Sequence, residues 1–180
     1  MGLFDFFKKK EKEIKELDIT NLDIGCILDY DLKSWIVQDK TEYDWGNNQF
    51  TYEYVINDGG ESVYLHVNEE ANLKIDISAE IKVSQLGWNF KQTIVEKDAP
   101  LKKIAFEDEH YTLSDEFMGH CKSINDGDDE WSEFVNWVFV NEDESKFISV
   151  NRWGETDIDA VKGHYLKVFE LSNFLSSPNN

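Results

Sequence analysis

The chain has 180 residues and a net charge of −19, with 18 Lys and Arg set against 37 Asp and Glu. So acidic a surface repels phosphate backbones, which argues against nucleic acid as a partner; solubility is the ordinary reading of the acidity, and a cationic partner is the sharper alternative. A hydrophobic share of 41%, an aromatic share of 14% and only two Pro exclude a disordered or fibrous chain and predict one globular body with an aromatic-rich interior.

The first segment, "MGLFDFFKKKEKEIKELD", is unlike the rest of the chain. Strong helix formers fill it and no Gly or Pro follows Gly2, so a short amphipathic helical arm is expected over residues 1–18. Phe4, Phe6 and Phe7 followed by Lys8, Lys9 and Lys10 suit contact with a membrane surface or a partner; docking on the chain's own body is the alternative. N-myristoylation is excluded, because Phe6 stands where Ser or Thr is required.

Residues 19–97 have the period of β-strands. In "FTYEYVI", Phe50, Tyr52, Tyr54 and Ile56 share a face, "NDGGE" is a turn, and "SVYLHV" places Val63, Leu65 and Val67 together with His66 on the opposite face. A loop is expected at "NEEANLKIDIS" and a further strand at "AEIKVSQL". Trp88, Phe90 and Ile94 are expected in a strand or sheet edge before Pro100.

Residues 98–175 repeat the scheme. "EFVNWVFV" aligns Val135, Trp137 and Phe139, "NEDES" takes the turn position, and "KFISV" supplies the return strand. "HYLKVFEL" then matches "AEIKVSQL", and Tyr111 and Leu113 match Tyr30 and Leu32. Val67 and Val150 lie 83 positions apart, as do Asp76 and Asp159, and apolar positions keep their parity. The chain after Leu171, with 176–180 as its end, is expected to be loose. The fold class is therefore mainly β: two related antiparallel β half-domains from an internal duplication, sandwich or barrel-like, with the N-terminal arm.

No chemical motif emerges. The four histidines lie in no nucleophile motif, and neither a phosphate-binding loop nor a zinc-protease helix occurs. Cys26 and Cys121 stand far apart outside any metal-ligand spacing, so reduced thiols and no metal or cofactor are expected. His120 and Cys121, adjacent in one strand, point to opposite sides and form no dyad. "NDGDDEW" has its Gly too early for a calcium loop and suits a hairpin tip. What remains is an aromatic and acidic set, Tyr43, Asp44, Trp45, Trp131 and Trp153, able to hold a cationic small molecule; ordinary core and turn residues of a β protein are the alternative.

Several stretches resemble the bacterial domain of unknown function 4178 family. They are Gly25, Trp35 to Val37, "YDWGN" (Tyr43 to Asn47), Glu53 with Tyr54, "YLHVNEE", "YTL", "FISVNRW" and "GHYLKVFEL". The resemblance covers about residues 19 to 175 and implies a bacterial cytosolic protein, encoded near phage-shock-type membrane-stress proteins and polyamine-synthesis genes. It implies no activity. With no span of ~18 apolar residues and no signal peptide, the cytoplasm is the expected location, peripheral to the inner membrane if the arm engages it. The function expected is a non-enzymatic binding or adaptor module with a protein partner. The alternatives are a hydrolase with unidentified carboxylates and a membrane-surface scaffold.

Overall fold

The computed structural model describes residues 17–69, 72–125 and 130–177. Residues 1–16 of the expected arm, with Phe4, Phe6, Phe7, Lys8, Lys9 and Lys10, and the centre of "NDGDDEW" lie outside the described residues.

The protein is mainly β. Among the described residues, eleven strands form one antiparallel sheet: β1 (Ile27–Tyr30), β2 (Lys33–Asp44), β3 (Phe50–Asn57), β4 (Ser62–Asn68), β5 (Lys74–Ile81), β6 (Lys103–Phe106), β7 (Glu109–Ser123), β8 (Ser132–Val140), β9 (Lys146–Arg152), β10 (Ile158–Leu166) and β11 (Leu171–Leu175). Their order is β11-β1-β2-β3-β4-β5-β10-β9-β8-β7-β6. Pairing of β2 with β7, from Thr41 opposite Ser123 to Asp44 opposite His120, closes eight strands into a ring. β1, β11 and β6 continue the sheet outside it. No helix among the described residues is long and apolar enough to cross a membrane.

The alternation in β3, β4, β8 and β9 separates two faces. One face builds two apolar clusters. Tyr54, Ile56, Leu65, Val67, Ile75 and Ile77 join Leu28, Trp35 and Val37 in the first. Trp137, Phe139, Ile148, Val150 and Ala160 join Ile104, Phe106 and Tyr111 in the second. The other face of these strands looks into the ring.

The two long strands serve both environments because each carries a bulge. In β2 the register shifts between Val37 and Asp39, and in β7 between Leu113 and Asp115. One extra residue reverses parity. Trp35 and Val37 therefore enter the first apolar cluster, whereas Tyr43, also an odd position, faces the ring interior.

Three segments differ from the sequence reading. Phe90–Lys97 is a helix, α1, and not a strand. Phe90 and Ile94, one turn apart, are both buried, while Trp88 stays exposed. Asp98 ends α1 in the left-handed conformation (φ 56°), its N–H bonded to the Ile94 carbonyl, and Pro100 follows. Second, "NLKIDIS" is not a loop: β5 begins at Lys74, and Val83–Leu86 is a 3-10 turn. Third, Leu171 does not begin a loose tail but opens β11, which pairs with β1. Leu171 lies in the first apolar cluster, and Leu86, Phe90 and Ile94 lie in the second, so each cluster is covered by a segment from the far side of the 97/98 boundary.

Candidate functional site

The ring encloses a cavity of about 660 Å³. Two rows of polar side chains cross its wall, set by strand register. Glu53, His66 and Asp76 are direct neighbours on β3, β4 and β5. Asn136, Asn151 and Asp159 are direct neighbours on β8, β9 and β10.

The first row sets an imidazole between two carboxylates. His66 donates Nδ1–H to Asp76 Oδ2 at 3.1 Å, and its Nε2 lies 2.9 Å from Thr51 Oγ1. Tyr43 donates its hydroxyl to Glu53 Oε1 at 3.0 Å, and no described residue donates to Oε2. Protein surrounds Glu53, yet part of its side chain remains open where it lines the cavity. Burial raises its pKa above the ordinary carboxylate range, partly offset by His66 and the Tyr43 hydrogen bond. Burial alone would depress the imidazole of His66, but Asp76 and then Glu53 outweigh it and raise its pKa. The Cys121 thiol is pushed up to about 11 by burial and by Glu53 and Asp159.

The second row is bonded as amides. Asn136 Nδ2 donates to Asn151 Oδ1 at 2.7 Å and to Ser149 Oγ at 2.6 Å, and Asn151 Nδ2 donates to Asp159 Oδ1 at 2.9 Å. Trp153 Nε1–H holds the other oxygen of Asp159. Burial raises the pKa of Asp159 against these bonds.

An aromatic group closes one end. Phe134 is buried and meets Tyr43, Trp45 and Trp153 at 5.5, 5.4 and 4.9 Å between ring centres. Tyr43 stacks on Trp45 at 5.7 Å. Gly119 makes this possible, since a Cβ there would press on Trp45 and Phe134 at 3.1 and 3.3 Å.

Thr51, His66 and Asp76 have the bonding order of a nucleophile, base and orienting acid. Thr51 is only 2% exposed, however, and its oxygen already accepts Trp45 Nε1–H at 2.9 Å. The hydroxyl positions His66 and is not presented to a substrate. Among the described residues, no group of three or more His, Cys, Asp and Glu is placed to hold a metal ion.

Of the candidate ligand residues, Tyr43, Trp45 and Trp153 lie together at the cavity. Asp44 is not among the residues that line it, and its carboxylate accepts the Gly46 N–H. Trp131 is also apart, beneath the Lys122 ammonium at 4.7 Å. Sequence reasoning did not single out Glu53, Asp76 or Asp159 as cavity groups, and it left His66 as a surface or second-face residue. The available signal was shared parity: Glu53 and His66 occupy the second face of strands whose first face is apolar.

An uncharacterized protein of Aquifex aeolicus (strain VF5) is 26% identical over 168 residues, which is 93% of this chain and 90% of the relative. No solved structure matches the chain. The family model described as a domain of unknown function (DUF4178) matches residues 23–168, and the chain belongs to that family.

Proposed function

We propose that this protein is a cytoplasmic, non-enzymatic binding module that holds a small organic cation inside the ring. The observation that carries this reading is the charge of the cavity wall. Glu53, Asp76, Glu80 and Asp159 face it against Lys74 and His66. Carboxylates removed from bulk water favour a cationic partner, and the rings of Trp45, Phe117 and Trp153 supply apolar wall for a methylene chain. A linear polyamine combines both properties. Calorimetric titration of spermidine tests the reading: saturable heat is expected, and no heat at millimolar ligand ends it.

We also propose that the two strand sets descend from one duplicated half-domain. The strand order reads the same outward in both directions from the β5–β10 seam as far as β1 and β6, with β11 added beyond β1. Asp31 and Leu32 join β1 to β2 with positive φ, and Glu107 and Asp108 join β6 to β7 likewise. Each bulge follows its turn at the same distance. Counted from these turns, Tyr111 corresponds to Trp35 and not to Tyr30. The I-D pairs correspond, Asp76 with Asp159, whereas the V-N pairs are displaced by two residues along the ladder. His66 then corresponds to Asn151, and Glu53 to Asn136.

A further inference from the structure

Resting on the cation-binding reading, we infer that the cavity has one working wall: Glu53 anchors a primary or secondary ammonium group of the ligand, and the Asn136–Asn151–Asp159 row is its structural counterpart. The two rows sit at equivalent distances from the two bulges but differ in chemistry. In the second row both oxygens of Asp159 and the carbonyl of Asn151 already accept hydrogen bonds from neighbours. In the first row, Oε2 of Glu53 takes no hydrogen bond from a described residue, and Glu53 lines the cavity. A carboxylate enclosed in this way gains most from a charged N–H donor, which forms a short, charge-assisted hydrogen bond.

A quaternary ammonium is a poorer fit. It has no N–H to give, and it relies on open aromatic faces. Here the faces are engaged with one another: Tyr43 lies parallel to Trp45 within 9°, and Trp45 and Trp153 pack on Phe134.

The groups facing Glu53 are Tyr43 from β2, Tyr64 and His66 from β4, Asp76 from β5, Cys121 from β7 and Asp159 from β10. Asp76 and Asp159 discourage ionisation of Glu53, and His66 encourages it. An incoming ammonium takes the side of His66 and favours the ionised form of Glu53, so binding releases a proton wherever Glu53 still holds one. Affinity should therefore rise with pH through the raised Glu53 value, while an amine of ordinary pKa near ~10.4 stays charged.

The test compares spermidine with hexamethonium, a bis-quaternary cation of similar apolar length, on the full chain. Titrations are run in buffers of different ionisation heat, for the wild type, Glu53→Gln and the double variant Glu53→Asn/His66→Asn. The double variant gives the first row the chemistry of the second, which this fold already accommodates. We expect spermidine to bind the wild type with proton release, hexamethonium to bind at least about tenfold more weakly, and both variants to lose about tenfold or more while melting cooperatively. Unchanged spermidine affinity in a folded variant, or equal affinity for hexamethonium, overturns the anchor and leaves the cation-binding reading standing. Failure of the wild type to bind either cation ends both. Should neither variant fold, the preference of the wild type for spermidine over hexamethonium still decides.

Discussion

Glu53 and His66 face each other across β3 and β4, so the charge of each depends on the other. Both have raised pKa values in the folded protein. For Glu53 the folded state then binds more protons than the unfolded chain from pH ~4.5 up to the raised value, so stability falls as pH rises through that window. For His66 the stabilisation from Asp76 is complete below about pH 6.5 and is lost as pH rises through its folded value, which has the same sign. Asp29, Asp58, Glu109 and Asp143 are lowered by hydrogen bonds, and their stabilisation is lost only as pH falls through their folded values. The melting temperature should thus be highest in mild acid and decline toward pH 8. Glu53→Gln should flatten the decline above pH ~4.5 while leaving the part due to Asp159 and His66, whose pKa values are also raised, as read from thermal melts at stepped pH. A slope identical to wild type would sink the assignment. Alternation in the sequence places both residues on the non-apolar face of their strands. It does not tell that this face is enclosed, because enclosure comes from strands distant in the chain.

At the scale of elements, the bulges and the two covering segments decide the architecture. Each bulge lets one continuous strand contribute to an apolar cluster and then to the cavity wall. Counting parity from Trp35 without the bulge would place Tyr43 in the apolar cluster, and nothing local in the sequence announces the extra residue. The covering segments were misread for a related reason. α1 is short, and its Phe90 and Ile94 suit either a helix turn or a strand edge until Phe90 packs on Phe139 and both residues join the second cluster. β11 pairs with β1, more than 140 positions away, so no neighbouring pattern marks it as a strand. If β11 covers the first cluster, Leu171→Ala should cost about 2–5 kcal/mol, as for other buried large-to-small changes. Urea unfolding measures this. A loss below about 0.5 kcal/mol, the range of ordinary surface substitutions, would mean that β11 is dispensable.

At the scale of the molecule, two apolar clusters do not make two independent units. The seams β5–β10, from Ile75 opposite Leu166 to Ile81 opposite Ala160, and β2–β7 tie both strand sets into the ring. Each cluster also draws on a segment from the other side of the chain. Unfolding should therefore be a single transition, with calorimetric and van't Hoff enthalpies in a ratio near about 1. Two resolved transitions in a calorimetric scan would show that the clusters melt separately.

By itself, the sequence determined the β class, the hairpin at Phe50–Asn68, the apolar faces of β3, β4, β8 and β9, and the acidic composition. Those properties are local: they depend on period, turn residues and composition. Only the tertiary structure decided that the polar faces meet inside a ring, that Tyr43, Trp45 and Trp153 converge there with Glu53 and His66, and that Asp44 and Trp131 do not. The physical reason is that alternation defines two faces of a strand without saying what covers either. Here long-range pairing and one-residue bulges cover both, one with hydrocarbon and the other with the opposite wall of the ring.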